Sequence, residues 1–239
     1  MAHDNTIKTE ELLRLLCHDL SNPLQILGMS LEVLEDRCPL ELQKLVARMK
    51  RSTDSISQIL NLVRELQAFY SGKKELKMEV VSIDAIIAEN QFTFLEKMKE
   101  KNISLVYKKE QQDINSVVLA EYVSLSNNIF KNIISNAIKF SNPNSTITID
   151  LKETANNIIV KISDQGIGIP EELLSNIFSY NKENSRPGTA GEKGTGFGMP
   201  LVKLFLDLYG VEVKVESQTS DFHPNNHGTS FELTFLKAA

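Results

Sequence analysis

Apolar residues recur along the first seventy positions at steps of three and four. Leu13, Leu16, Leu20, Leu24, Leu27, Leu31 and Leu34 trace one seam, the spacing of a buried helical stripe. The spacing predicts a helix to about Asp36, with Thr6 or Thr9 as its cap. Arg37-Cys38-Pro39-Leu40 reads as a short turn, because the residue before proline is pushed out of helical geometry. A second stripe then steps through Leu42, Leu45, Met49, Ser52, Ile56, Ile59, Val63 and Leu66 towards Tyr70, a heptad seam with one polar interruption. Two such helices joined by a short turn make an antiparallel hairpin. A hairpin cannot bury wide apolar stripes alone, so pairing of two copies into a four-helix bundle is the economical solution.

Beyond the polar break Ser71-Gly72-Lys73-Lys74 the period changes, which divides the chain into 1–72 and 73–239. A short strand over 79–83 precedes a helix over 84–99, capped by Ser82 or Asp84. Strands at 103–108 and 116–119 precede a long helix over 122–141. Two strands alternate cleanly, Ile147/Ile149/Leu151 and Ile158/Val160/Ile162, with Asn156-Asn157 as the turn between them. A helix over 199–209 and two more alternating strands, Val211/Val213/Val215 and Phe231/Leu233/Phe235, close the chain. Clean alternation implies an antiparallel or mixed sheet with one covered face. The fold class is therefore α+β: a helical hairpin followed by an α/β two-layer sandwich.

Composition narrows the partners. Of 239 residues, 41% are hydrophobic and 24% charged, ordinary globular values that leave room for two domains. A net charge of −5 gives no electrostatic case for nucleic acid or an anionic membrane as the main partner. No apolar run approaches the ~18–20 residues that span a bilayer, and no signal-peptide pattern is visible. The expectation is a cytoplasmic chain, or a soluble piece of something larger. Cys17 and Cys38 lack metal-ligand spacing and fall near opposite ends of one helix, so a bond between them is not expected. Cys17 beside His18 suggests a nucleophilic pair, but adjacent helical side chains diverge, which favours a packing thiol.

The candidate chemistry lies in four places. His18 sits two residues from both Leu16 and Leu20, about 160° around the helix from each, so its imidazole faces outward with Asp19 next to it. Asn22 shares its face one turn on. Pro23 cannot donate to the carbonyl of Asp19, so a local bend is expected. On the helix over 122–141, Asn128, Asn132 and Asn136 step by four, with Lys139 three further. They are either solvated surface amides or a lined polar face. In the second case an amide oxygen suits Mg²⁺ and Lys139 a phosphate. Ser163-Asp164-Gln165-Gly166-Ile167-Gly168-Ile169-Pro170 follows an alternating strand. The carboxylate can accept from an exocyclic amine and the glycines let backbone approach a flat ligand; a plain tight turn is the other reading. Gly191-Glu192-Lys193-Gly194-Thr195-Gly196-Phe197-Gly198-Met199 opens onto a helix, as phosphate cradles do, but fits neither the Rossmann nor the Walker pattern. Residues 179–193 read as a lid over a bound nucleotide.

In this order, and over essentially the whole chain from about residue 8 to 236, the boxes resemble those of the sensor histidine kinases of two-component signalling. The resemblance implies a dimerisation and histidine-phosphotransfer hairpin followed by a Bergerat-type ATP-binding domain. It implies an autokinase that uses ATP and Mg²⁺ to phosphorylate His18 and passes the phosphoryl group to an aspartate of a response-regulator receiver domain. By that likeness Asp19 is the base for His18, and Asn22 positions water when the protein dephosphorylates its partner. Asn136 is the Mg²⁺ ligand, Asn132 and Lys139 lie near the phosphates, and Asp164 contacts the adenine amine. Gly166, Gly168, Gly194, Gly196 and Gly198 shape the loops, and Thr229, in His227-Gly228-Thr229-Ser230-Phe231, lies near the adenine pocket. The implied partners are a second copy, as a homodimer, and a receiver domain, with no nucleic acid and no membrane segment in this chain. The sequence departs from the family at Ser179-Tyr180-Asn181-Lys182-Glu183, where an aromatic-rich box is usual, and at Phe140, where a tyrosine is frequent. Gyrase- and chaperone-type ATPases, which share the nucleotide fold, usually carry a glutamate base four residues before the metal-binding asparagine. Here that residue is Asn132. A phosphotransfer or scaffold dimer with an inactive nucleotide site is the remaining alternative.

Overall fold

The computed structural model describes residues 2–70, 77–179, 186–192, 196–221 and 226–238. It forms two compact units, Met1–Glu75 and Leu76–Ala239. In the first, α1 (Ala2–Arg37) runs unbroken through Pro23, and α2 (Leu40–Tyr70) returns against it. The turn between them is shorter than the sequence suggests, Cys38-Pro39 alone. It is closed by Cys38 N–H on the Leu34 carbonyl (2.8 Å) and by Leu42 N–H on the Pro39 carbonyl (2.9 Å). Because α1 begins at Ala2, Thr6 and Thr9 lie inside the helix and neither is its cap. The side chains of Thr6, Thr9, Leu13 and Leu66, and the Ser71–Lys74 break, lie outside the described residues.

The hairpin closes on a different line from the two stripes: of its buried residues only Leu31 lies on a predicted stripe, and Val46, Thr53 and Leu60 each follow a predicted position by one. Cys17 and Leu31 from α1 and Val46, Thr53 and Leu60 from α2 are buried. The last three repeat every seven residues, as an antiparallel helix contact requires. Leu16, Leu20, Leu27 and Leu34 remain 41–49% exposed, and Leu42, Leu45, Met49 and Ile56 remain 44–53% exposed. A bundle helix meets two neighbours, so its apolar arc is wider than one contact line. The α1 leucine seam read from the sequence combines positions that face the other helix of the hairpin, such as Leu31, with leucines that no described residue of the hairpin covers.

In the second unit, β1 (Glu79–Ser82) leads into α3 (Ile83–Thr93), whose first turn is capped by Ser82 accepting the Ala85 N–H (3.4 Å). The single helix expected over 84–99 breaks at Phe94. Its second half, α4 (Leu95–Lys101), stops at Asn102 in the left-handed conformation (φ 51°), which asparagine tolerates better than most residues. Next come β2 (Ser104–Lys109) and β3 (Val117–Ala120). The long helix that follows is not uniform. A turn of α5 (Tyr122–Ser124) passes into a π-helical segment (Leu125–Phe130) and then α6 (Lys131–Phe140). β4 (Thr146–Glu153), β5 (Asn157–Ser163), a short α7 (Glu171–Leu174), α8 (Gly198–Leu208), β6 (Glu212–Gln218) and β7 (Gly228–Leu236) complete the unit.

The five-stranded sheet has the order β2-β4-β5-β7-β6. β2 pairs parallel with β4 and the remaining pairs are antiparallel, so the expected mixed sheet is found. β1 and β3 form a separate antiparallel ribbon. On one face Ile147, Ile149 and Leu151 of β4, Ile158, Val160 and Ile162 of β5, and Phe231, Leu233 and Phe235 of β7 are all buried. They share one core with Ile133, Ile134, Ala137 and Ile138 of α6 and Val202, Phe205 and Leu206 of α8. One helical layer covering one face gives the two-layer sandwich. It also places the loops after β5 and before α8 beside the C-terminal end of α6.

Candidate functional site

In the hairpin, His18 faces outward with its side chain 74% exposed, and its Nδ1 lies 3.1 Å from Oδ1 of Asp19. With Nδ1 donating to that carboxylate, Nε2 carries the lone pair and is the open nucleophile. Asn22 is exposed one turn on. Cys17 is a free thiol packed in the helix seam, as the packing reading expects. Sequence reasoning missed Arg64 of α2, which donates from Nη2 to the Cys17 carbonyl (3.3 Å) and to the Ser21 hydroxyl. Ser21 itself donates to the Cys17 carbonyl (2.6 Å). The residues on both sides of His18 are thereby tied to α2. Nothing in the local pattern around Arg64 signals this, because the contact is set by the hairpin register.

The second unit gathers Asp164, Gly166, Gly168 and Thr229 at the end of β5. Oδ1 of Asp164 accepts the N–H groups of Gly166 (2.8 Å) and Thr229 (3.2 Å). Among the described residues Oδ2 accepts nothing and is left for a ligand. Burial pushes this carboxyl up to about 6, against the pull of the two N–H groups and of His227. His227 Nδ1 lies 2.6 Å from the Gly166 carbonyl. A side chain at Gly166 would collide with the Phe140 carbonyl, so the loop lies flat on the end of α6 only with glycine there. Thr229 is buried, with Oγ1 2.9 Å from Oγ of Ser217. Ser217 also accepts the Ile169 N–H (2.8 Å), which ties the loop to β6.

Asn132, Asn136, Lys139 and Gly198 form the other end. The π-helical segment breaks the even spacing of the asparagines. Asn132 turns back and donates to the Asn128 carbonyl (2.9 Å), and its Oδ1 faces Gly198, where a Cβ would come within 2.7 Å. Asn136 is half-buried and its side chain makes no hydrogen bond among the described residues, so its amide is available. Lys139 donates to the Arg186 carbonyl (3.0 Å) and lies 4.5 Å from the centre of the Phe140 ring; burial holds its ammonium below the ordinary lysine range. Arg186 lies over the same ring at 5.4 Å and donates to the Gly168 carbonyl (3.0 Å), so two cations meet one phenyl ring. Gly196 takes φ 79° just before α8. Gly194 lies outside the described residues, as do residues 180–185 and 193 of the segment that the sequence reads as a lid. No cluster of three or more His, Cys, Asp or Glu side chains able to hold a metal is found among the described residues. The available amide of Asn136 near Lys139 fits Mg²⁺, which takes few protein ligands and the rest of its shell from water and phosphates.

A mixed five-stranded sheet with this carboxylate, amide and glycine set, preceded by an outward histidine on a helical hairpin, defines a phosphoacceptor hairpin joined to a Bergerat-type nucleotide domain. Residues 8–69 match the His Kinase A (phospho-acceptor) domain. Residues 124–239 match the family described as histidine kinase-, DNA gyrase B- and HSP90-like ATPase. The chain belongs to the sensor histidine kinases of two-component systems and contains their catalytic core. It is 26% identical over 211 residues to the circadian input-output histidine kinase CikA of Synechococcus elongatus, an alignment spanning 87% of this chain and 28% of that protein. The full-length ShkA structure in complex with AMPPNP is similar over 96% of this chain and 46% of its own, with a TM-score of 0.68 and 22% identity. ThkA in complex with the response regulator protein TrrA is similar over 99% of this chain and 64% of its own, with a TM-score of 0.59 and 21% identity. Both show the same fold. The chain spans less than two thirds of each of these relatives. Among the described residues no helix is long and apolar enough to cross a membrane.

Proposed function

We propose that the chain is an ATP-dependent histidine autokinase that phosphorylates its own His18 and passes the phosphoryl group to an aspartate of a response-regulator receiver domain. The observation that carries this reading is the His18–Asp19 contact, which leaves Nε2 outward as a nucleophile, in a chain that also holds a buried carboxylate with one free oxygen. Nε2 attacks the γ-phosphorus and the bond to the β,γ-bridging oxygen breaks. ADP leaves, and Asp19 takes the proton from Nδ1. Catalysis rests on positioning and charge stabilisation. Asp164 holds the adenine amine through Oδ2, and Asn136 holds Mg²⁺, which neutralises charge on the phosphates. Lys139 and Asn132 line the phosphate side, and Gly166, Gly168, Gly194, Gly196 and Gly198 shape the loops. Asn132 cannot deprotonate water, which favours phosphotransfer over hydrolysis. The division of labour falls at 72/73. Two copies pair through the leucines left open on α1 and α2, and ThkA's complex with a response regulator supports a receiver domain as the second partner. Asn22 positions water for dephosphorylating that receiver. The reaction draws on cytoplasmic ATP.

Incubation with γ-labelled Mg·ATP tests the reading. Acid-labile phosphate is expected on the wild-type protein and none on His18→Gln. Undiminished labelling of His18→Gln overturns the assignment, and ATP consumption without phosphohistidine makes the protein an ATPase instead.

A further inference from the structure

Lys101, the last residue of α4, is 9% exposed. Its ammonium has three acceptors: the carbonyls of Ile138 (2.8 Å) and Lys139 (2.9 Å) at the end of α6, and Oε1 of Glu192 (2.9 Å). A lysine at the C-terminal end of a helix meets the negative pole of its dipole and its unpaired carbonyls. A buried ammonium also demands a counter-charge, and Glu192 supplies it from 91 residues away.

Glu192 is bound on its other side as well. Its Oε2 accepts the Ala190 N–H (2.9 Å) and its carbonyl accepts the Gly188 N–H (2.7 Å). Burial raises its carboxyl, but Lys101 and the N–H groups outweigh that and hold it below the ordinary glutamate range. Thr189 donates its N–H to the Lys139 carbonyl (3.1 Å) and its hydroxyl to the Ser141 carbonyl (2.6 Å). Gly188 lies so close that a Cβ there would run into Lys139 and the Glu192 carboxylate. Residues 188–192 are therefore a compact turn nailed to the C-terminal end of α6. That helix presents Asn136 and Lys139. The same turn opens the glycine-rich stretch whose far end, Gly198, abuts Asn132.

We propose that Lys101 and Glu192 are positioning residues for the phosphate chain of a nucleoside di- or triphosphate. Their ion pair fixes where the glycine-rich stretch starts relative to the helix end that meets the phosphates. The proposal rests on the nucleotide-site reading above. The adenine side, built on Asp164 and Thr229, shares none of these contacts, so the effect is selective for the phosphates.

Calorimetry on the whole chain separates the possibilities, with adenosine, Mg·ADP and a Mg-bound non-hydrolysable triphosphate as ligands. Glu192→Ala is expected to weaken the triphosphate about tenfold and to leave adenosine unchanged. Lys101→Met combined with Glu192→Ala is expected to be no worse than either alone, because the two act as a unit. Should Lys101→Met lower the melting temperature, Glu192→Gln, which keeps the shape of the side chain, carries the test. No change in triphosphate affinity, or an equal loss for adenosine and triphosphate, overturns the positioning role. A wild-type protein that binds none of the three overturns the nucleotide site itself.

Discussion

Asp164 and Thr229 hold each other in both directions: the Thr229 N–H donates to Oδ1 of Asp164 (3.2 Å), and the Asp164 N–H donates to the Thr229 carbonyl (2.9 Å). The pairing joins the end of β5 to the start of β7 and commits one carboxylate oxygen to backbone. Asp164→Asn can keep that oxygen where it is. Its amide nitrogen then replaces the free acceptor and presents N–H to an amine that also donates. A donor facing a donor leaves both unpaired, at roughly 1–3 kcal/mol. Affinity for adenosine and for ATP is expected to fall about tenfold or more, with little change in melting temperature. Unchanged adenosine binding on calorimetry removes Asp164 from the adenine pocket.

The raised carboxyl gives this pocket a pH signature. Burial pushes Asp164 up to about 6 from its ordinary 3.8. Between those values the folded protein binds more protons at this site than the unfolded chain. Its contribution to stability is therefore fully present below 3.8 and is lost as pH rises through 6. Ligand binding runs the other way: with Oδ1 held by two N–H groups, protonation falls on Oδ2 and turns the oxygen that faces the amine into a donor. Affinity for adenosine, which carries no phosphate to titrate, is expected to rise through pH 6 and level off above it. A flat profile between pH 5 and 8, or the same profile in Asp164→Asn, contradicts this.

Much of this organisation is legible in the residues. The Ile147/Ile149/Leu151 and Ile158/Val160/Ile162 alternations become adjacent strands with Ile149 opposite Ile162, and His18 stands clear of the helix seam because its neighbours at two residues' distance are leucines. Other features depend on partners far along the chain. The π-helical segment accompanies Ser126 donating to Glu89 (3.1 Å) and Asn90, buried on α3, reaching Ser126 (3.5 Å); no local propensity encodes that meeting. Arg64 reaches Ser21 across 43 residues, and Lys101 reaches Glu192 across 91. Polar residues without a periodic signature look like surface until the fold pairs them. The leucine stripes show the converse limit. Their period identifies a helix face, but not which leucines face the other helix of the hairpin and which remain open.

Those open leucines predict an assembly. Leu27 on α1 and Leu45 on α2 are 41% and 53% exposed on stripes that continue along both helices. A charged side chain in a bundle core lacks a partner and costs several kcal/mol. The Leu27→Glu/Leu45→Glu protein is expected to sediment as a monomer where the wild type sediments as a dimer, whereas Gln25→Glu, also on exposed α1 surface, leaves the dimer intact. A wild-type monomer, or a double variant that still dimerises, excludes this face as the dimer contact.

Gly198, the first residue of α8, tests how tightly the phosphate side is built. The site of its missing Cβ lies 2.7 Å from Oδ1 of Asn132, closer than a methyl group tolerates. Asn132 cannot simply swing away, because its amide nitrogen is held by the Asn128 carbonyl (2.9 Å) at the edge of the π-helical segment. Gly198→Ala therefore moves either the start of α8 or the Asn132 side chain, by a few tenths of an ångström or more. Overpacking of this kind costs about 1–3 kcal/mol. Weaker binding of ATP is expected, with adenosine affinity retained, because among the described residues Asp164 and Thr229 make no hydrogen bond to this corner. Introducing Asn132→Ala as well removes the clashing oxygen and is expected to restore the melting temperature but not the triphosphate affinity. If Gly198→Ala alone binds ATP as the wild type does, the close approach of α8 to Asn132 plays no part in holding the phosphates.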